Sequence, residues 1–279
     1  MTKFDDTTKS IFPVPEAVLL PINGSSQHYP VRRIYCVGRN YLAHIRELGN
    51  DEREPPFFFA KHRDMIVQHG KSCAYPALTK DYQHEIELVV AMKSGGMDIP
   101  VAGALDHVYG YAVGLDMTRR DLQNRMKEKK LPWEIGKSFE DSAPCGSVYP
   151  VDLVGHPAKG RIHLTVNGTT KQDSDLAQMI WSVAEIIHHL STQAEIKAGD
   201  LIFTGTPEGV APLQRGHALG RTGKDKVAGL NFRLGGKVMG DLRNTPDHLR
   251  QVRILLGGAA HGKVNPALGR VPDLVHGIY

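Results

Sequence analysis

Cysteine is scarce. Cys36, Cys73 and Cys145 are the only three in 279 residues, and no two of them form a CxxC pair. That excludes a disulfide framework and offers neither a zinc site nor a dithiol redox site, which suits a reducing compartment. Long apolar runs are also missing, since none approaches the roughly 18 residues of a membrane span. The first residues, MTKFDDTTKSIFPVPEAVLLPI, carry acids where an export signal needs a basic end and prolines in their only apolar patch. They predict a soluble, unexported, cytoplasmic protein without a membrane partner. No GxxxxGK[ST] loop occurs, so nucleotide binding has no support and the letters Gly205-Thr206-Pro207 are a coincidence of code. Charge of one sign is lacking as well: 34 Lys and Arg against 30 Asp and Glu give +4. Residues 236–279 hold six basic residues against three Asp, leaving 28 against 27 for everything before them. So nearly neutral a body has no basic stripe for nucleic acid, and the tail's one aromatic, Tyr279, supplies no stacking platform.

What is present is the mixture of an ordinary globular protein, 41% apolar and 23% charged, which disfavours disorder, collagen and coiled coil. Pro13, Pro15, Pro21 and Pro30 fix backbone dihedrals and remove amide donors, so residues 1–30 are expected to form an extended arm rather than a helix. IYCVG, from Ile34, reads as the first buried strand, and Tyr41 to Leu48 has helical character. HEIELVVAM (84–92) alternates and then becomes continuously apolar, as a strand does on entering a core. VYGYAVGLD (108–116) is another strand, and its end meets MTRRDLQNRMKEKK, a helix former that stops before Pro132. RIHLTVNG (161–168) ends in Asn-Gly, a hairpin signal. The clearest helix is expected over 175–190, where Leu176, Met179, Ile180, Val183, Ile186, Ile187 and Leu190 form one stripe with Ser174 or Asp175 as cap. LIFTGTPEGV is a buried strand closed by a glycine-rich turn. Many strands without a βαβ rhythm predict an α+β, strand-dominated domain over 31–235, followed by a Gly-rich basic tail over 236–279.

Glu85 and Glu87, at i and i+2, share one face of a strand about 7 Å apart while Ile86 and Leu88 face the core. Alone, they read as a solvated face. Asp116 closes an otherwise apolar strand, and a third carboxylate converging on the pair makes a site for a hard divalent cation, Mg2+, Mn2+ or Ca2+. Its plain alternative is a helix N-cap. Arg120 and Gln123 lie on one face of the following helix, a bidentate cation beside an amide that suits a carboxylate. His44 and Glu47 are three apart, so the carboxylate can orient the imidazole towards a water. Lys137, in IGKSFED, offers positive charge to a developing oxyanion. Thr206 offers a hydroxyl beside glycine-accessible amides. Each of these alone also has an ordinary reading as a solvated helix face, a surface lysine or a turn.

Their order is more specific than any one of them. CVGRNYLAHIREL, HEIELVV, GYAVGLDMTRRDLQ, GKSFEDSAP and GDLIFTGTPEGV, in this spacing, resemble the fumarylacetoacetate hydrolase family over about residues 32–235. REPPFFFAKHRD and PWEIGKSFEDSAPC look most like its bacterial fumarylpyruvate-cleaving members. The resemblance implies a mixed β-sheet roll, a homodimer, and one Mg2+ or Mn2+ held by Glu85, Glu87 and Asp116. It implies a catalytic His44-Glu47 dyad with Lys137, and substrate binding by Arg39, Tyr41, Arg120, Gln123 and Thr206. The implied reaction is hydrolysis of the carbon-carbon bond of an acylpyruvate, a step of gentisate breakdown. Ser138 and Glu140 depart from the family's commoner Gly and Asp beside that lysine. Rival readings are decarboxylation of an oxaloacetate-type acid, isomerisation or hydration of a dienoate, and a metal-binding dimeric scaffold without catalysis.

Overall fold

A computed structural model describes residues 10–41, 54–67, 73–166 and 169–214, and the backbone of 233–234 and 237–238. The chain enters through a hairpin, β1 (Leu19–Pro21) with β2 (His28–Pro30). It then lays down β3 (Arg33–Val37) antiparallel to β4 (Phe58–Lys61). After the two-residue β5 (Ile66–Val67) come β6 (Tyr82–His84) and β7 (Ile86–Met92), separated only by Glu85. β8 (Val108–Leu115) returns antiparallel to β7, and β9 (Thr118–Arg119) pairs with β6. Two short strands follow: β10 (Ala143–Pro144) runs parallel to β5, and β11 (Tyr149–Pro150) joins the edge of β8. β12 (Arg161–Val166) and β13 (Thr169–Asp175) form the hairpin expected of the Asn-Gly signal, whose two turn residues lie outside the described set. β14 (Asp200–Phe203) is parallel to β3 and antiparallel to β7, and β15 (Ala211–Leu213) adds to β6. Last, β16 (Arg233–Leu234) pairs with β17 (Lys237–Val238).

The main sheet is six-stranded and mixed, in the order β11-β8-β7-β14-β3-β4, and a three-stranded sheet β15-β6-β9 abuts it. This is the strand-dominated α+β architecture the sequence implies. Both faces of the main sheet are covered, which is why β7 is apolar without interruption and wholly buried. Ile86, Leu88, Val90 and Met92 pack with Ile186, Ile187 and Leu190 of a helix on one side. Val89 and Ala91 pack with Leu20, Tyr29, Ile34, Cys36 and Phe203 on the other. Each such aliphatic side chain contributes about 1.5–3 kcal/mol by leaving water.

Four α-helical segments are described: α1 (Arg120–Glu128), α2 (Glu134–Lys137), α3 (Val151–Val154) and α4 (Val183–Ser191). Among the described residues no helix is long and apolar enough to cross a membrane.

Two expectations need correction. The helix expected over 175–190 begins only at Val183. Asp175 ends β13 and its carboxylate accepts the Ala177 N–H at 2.8 Å, closing a 3-10 turn over Leu176–Gln178. The real cap is Ser182, whose hydroxyl accepts the Glu185 N–H while the Glu185 carboxylate accepts the Ser182 N–H. The apolar stripe runs through the break because turn and helix bury Leu176 and Ile186 in the same core. Nor does regular structure begin at Ile34. Residues 10–18 hold no helix, and Leu19–Pro30 is a hairpin seated in the core: Leu20 is fully buried, and the Tyr29 hydroxyl donates to the carbonyls of Met92 and Asp200.

Candidate functional site

The site lies on the seam between the two sheets. The β6–β7 segment changes sheet at Glu85, and the neighbouring β8–β9 segment changes sheet at Asp116. The two switch points are tied together, since the Asp116 N–H donates to the Glu85 carbonyl at 2.8 Å. Two side chains that would otherwise enter an apolar sheet are therefore released at the same level, and Glu87, two residues into β7, joins them. One carboxylate oxygen from each of Glu85, Glu87 and Asp116 lies within 4.8 Å of the others, and all three residues are buried. Asp116 does not cap α1, whose N-cap position is Arg119.

Cations from three other elements close around this cluster. Lys137, at the end of α2, donates to Glu85 Oε2 at 2.8 Å, Asp116 Oδ2 at 2.7 Å and Thr118 Oγ1 at 2.7 Å. Arg120 opens α1 and donates to Glu85, to Gln123 Oε1 at 2.6 Å and to Gln83 Oε1 at 2.8 Å. The expected Arg120–Gln123 pair is thus formed. Its placement beside Lys137 depends on Gly136, where a Cβ would come within 2.8 Å of the Gln123 backbone nitrogen, so α1 and α2 touch at backbone distance.

The charges sort the three carboxylates unequally. Burial opposes ionisation of Glu85, but Lys137 and Arg120 outweigh it and hold its acid well below the usual range. Burial likewise opposes the Lys137 charge, and Asp116 and Glu85 outweigh it, keeping the ammonium above its ordinary value. Glu87 goes the other way: burial, then the neighbouring Asp116 and Glu85, push its acid well up. Its Oε2 accepts the Gly205 N–H at 2.8 Å, and no side-chain cation of the described residues is paired with it. Gly205 is in the left-handed region, φ +94°, and a Cβ there would meet Asn40 Cβ at 2.7 Å, so only glycine brings this amide so close. A buried, oxygen-only cluster with one carboxylate lacking a cation fits a hard divalent ion and fits neither zinc nor a soft metal.

Thr206 sits beside the cluster, its hydroxyl donating to the Ile86 carbonyl at 2.9 Å and accepting from Gln172 at 2.9 Å. Arg39, Glu85, Glu87, Arg120, Gln123 and Thr206 all line one cavity of about 470 Å3, with Asp116 and Lys137. Tyr41 stands apart. It is fully buried, pairs with Met179 and is not on the cavity wall. Its phenol is pushed well up by burial and then by Glu87. His44 and Glu47 lie outside the described residues.

Several participants were not singled out from sequence. Lys61, completely buried at the end of β4, reaches Asp116 Oδ1 at 2.8 Å and donates to the carbonyls of Met117 and Lys137. A lysine in register with the apolar side of FFFAK was the available signal. Gln172, on the hairpin strand β13, accepts from the Ile86 N–H at 2.9 Å and meets His84 Nδ1 at 3.0 Å, pinning both sides of Glu85. Asn40 ties the end of β3 to Thr204 and Trp181 through three hydrogen bonds. Phe57 and Trp133, edge to face at 5.3 Å, wall the same cavity as the carboxylates.

A sequence model described as fumarylacetoacetate (FAA) hydrolase C-terminal matches residues 33–245. Among solved structures, a fumarylpyruvate hydrolase of Pseudomonas aeruginosa, crystallised with Mn2+ and pyruvate, is 55% identical with a TM-score of 0.72, covering 75% of this chain and 91% of that one. The fumarylpyruvate hydrolase of a Ralstonia species is 44% identical over 58% of this chain and 84% of its own. The mitochondrial oxaloacetate tautomerase of Mus musculus is 37% identical over 73% of this chain and 91% of its own.

Proposed function

The chain belongs to the fumarylacetoacetate hydrolase family, and from that premise we propose that it is a metal-dependent hydrolase that cleaves a carbon-carbon bond of an acylpyruvate, converting fumarylpyruvate and water to fumarate and pyruvate. The observation that carries this is the seam itself, three carboxylates suited to a divalent cation beside Arg120 and Gln123 on one cavity wall. The reading is supported by 55% identity to a fumarylpyruvate hydrolase solved with Mn2+ and pyruvate.

Glu85, Glu87 and Asp116 would hold Mg2+ or Mn2+, which supplies Lewis-acid stabilisation to the developing enolate. Arg120, fixed through Gln83, Gln123 and Glu85, keeps further N–H donors for the carboxylate of the 2-oxo acid. His44, paired in this reading with Glu47, would take a proton from water, and the resulting hydroxide would add to the distal carbonyl carbon. The bond from that carbon to the methylene then breaks, its electron pair leaves as pyruvate enolate, and protonation gives pyruvate. Lys137 spends its ammonium donors on Glu85, Asp116 and Thr118. To steady the tetrahedral oxyanion it gives up one of them. Arg39 and Thr206 complete the substrate-binding wall, and Tyr41, behind it, supports rather than contacts the substrate. We read the enzyme further as a cytoplasmic homodimer acting in gentisate-type aromatic breakdown, supported by its similarity to bacterial fumarylpyruvate hydrolases.

The test is loss of enol absorbance with fumarylpyruvate, maleylpyruvate and acetylpyruvate in Mg2+, Mn2+ or Ca2+. Metal-dependent turnover abolished by excess chelator is expected; no turnover on any of the three defeats the reading. The second reading, enolisation or decarboxylation of oxaloacetate, is favoured by the similarity to the oxaloacetate tautomerase. It has less need of a water-activating base. His44→Ala therefore separates the two: hydrolysis falls by about 100-fold or more, with Mn2+ binding retained, whereas activity on oxaloacetate survives.

A further inference from the structure

One face of α1 carries more than the reaction requires. Arg120, Gln123, Asn124 and Lys127 stand at i, i+3, i+4 and i+7 and all reach the cavity. Arg120 marks its inner end, in contact with Glu85. Lys127 is two helical turns further out, about 10 Å along the axis at 1.5 Å per residue. There its ammonium lies 4.7 Å from the centre of the Trp133 ring, which packs edge to face on Phe57. The guanidinium of Arg39 lies 5.3 Å from the centre of the Phe57 ring. Two cations, each resting on one ring of an aromatic pair, thus share the outer part of the cavity. Neither is consumed by a close ion pair among the described residues: Lys127 has none, and Arg39 reaches only the exposed Glu54, at 3.9 Å. Contact with a ring face leaves N–H donors unspent.

We propose that Lys127, assisted by Arg39, binds a second carboxylate at the far end of the substrate and makes the enzyme selective for dicarboxylate acylpyruvates. The lengths agree. Six carbon-carbon bonds separate the two carboxylate carbons of fumarylpyruvate, a span of about 7 Å when extended, which with a hydrogen bond at each end is comparable to the about 10 Å along α1 from Arg120 to Lys127. The electrostatics agree as well. Although Lys127 as a residue is exposed, desolvation of its ammonium comes first, and Arg120 and Lys137 next, in holding its pKa below the ordinary lysine value. A bound anion relieves that penalty. The pyruvyl end needs only the metal cluster and Arg120, so the two ends of the substrate are read by different turns of one helix.

The inference rests on the acylpyruvate reading, and the experiment separates the two. Metal-loaded wild type, Lys127→Met and Lys127→Arg are assayed on fumarylpyruvate and on acetylpyruvate, which lacks the distal carboxylate. Methionine keeps an unbranched stem over Trp133 and removes the charge. The ratio of kcat/KM for fumarylpyruvate over acetylpyruvate is expected to fall by about 10-fold or more in Lys127→Met, through KM, as for loss of a charge-assisted hydrogen bond, and to recover in Lys127→Arg. An unchanged ratio overturns the proposal, because a merely structural role lowers both substrates alike. If wild type turns over neither, the acylpyruvate reading falls and calorimetry with fumarate on the Mn2+-loaded proteins decides the site. Fumarate binding weakened about 10-fold in Lys127→Met upholds it, whereas equal or absent binding overturns it.

Discussion

Asp200 and Glu87 are both carboxylates buried in the main sheet on adjacent strands, 0% and 1% exposed. At Asp200 every direction is occupied. Arg32 donates to Oδ1 at 3.1 Å, Arg33 to Oδ1 at 3.2 Å and Oδ2 at 2.8 Å, and the Lys197 N–H to Oδ2 at 2.9 Å. At Glu87 one backbone amide donates, no cation of the described residues pairs with it, and two further carboxylates stand within 4.8 Å. Desolvation costs both groups heavily. The Asp200 cluster is complete without anything added, so it locks β14 to β3. The Glu87 cluster is complete only with a positive ion, and it opens on a cavity. Buried charge alone therefore marks neither function nor structure; the count of satisfied lone pairs separates them.

The sharpest way to break this comparison is to neutralise each carboxylate. Glu87→Gln keeps an acceptor for the Gly205 N–H and removes one carboxylate of the proposed metal site. Loss of a supporting partner alone costs about 10–100-fold, so loss of the ligand is expected to lower kcat/KM at fixed Mn2+ by about 100-fold or more. The metal-free variant should melt at or above the wild-type temperature, since neither burial nor the neighbouring Asp116 and Glu85 then opposes a charge at this position. Retained Mn2+ dependence with full activity would falsify the assignment. Asp200→Ala is expected to do the reverse, destabilising the fold by about 3 kcal/mol in urea titration while the folded fraction keeps its kcat. Should it lose kcat without losing stability, the two clusters are not distinct.

Gly205→Ala tests the junction more gently. The variant forces a side chain into positive φ and against Asn40, a strain of about 1–3 kcal/mol, and it shifts the one amide that holds Glu87. A Mn2+ affinity weakened by about 10-fold together with a lowered Tm is expected. A lowered Tm with unchanged affinity would show that Glu87 is positioned by its strand alone.

Much of this was legible in the sequence, for physical reasons that name their own limits. Glu85, Glu87 and Asp116 were readable because a strand has period two and an acid at the end of an apolar strand has few plain explanations. Arg120 and Gln123 were readable from helical spacing, and the structure joins them at 2.6 Å. The seam was not. HEIELVVAM reads as one strand, and only pairing partners far along the chain, Thr118 for Gln83 and Gly114 for Glu87, reveal that it belongs to two sheets. Lys61 and Gln172 escaped for the same reason: each acts through contacts more than 50 residues away in sequence, Lys61 with Asp116 and Gln172 with Ile86. The helix expected at 175 began at 183 because periodicity sees the buried stripe and not the hydrogen bond by which Asp175 turns the chain.

The smallest effect falls on the outer side of Asp200 and tests whether its completeness is redundant. Arg32 and Arg33 are 40% and 38% exposed at their side chains, so each pair with Asp200 is partly screened by solvent. Arg33 makes the two-point contact and also donates to the Glu195 carbonyl, whereas Arg32 contributes a single guanidinium nitrogen. Removing Arg32 leaves Asp200 with a cation on both oxygens and its backbone donor intact. Arg32→Ala is therefore expected to cost no more than about 1 kcal/mol, a cost that shrinks in high salt, and Arg33→Ala to cost more at every salt concentration. Equal losses would mean that the two arginines act as one network rather than as a principal pair with a spare, and that buried carboxylates here are held by total charge more than by the geometry of their lone pairs.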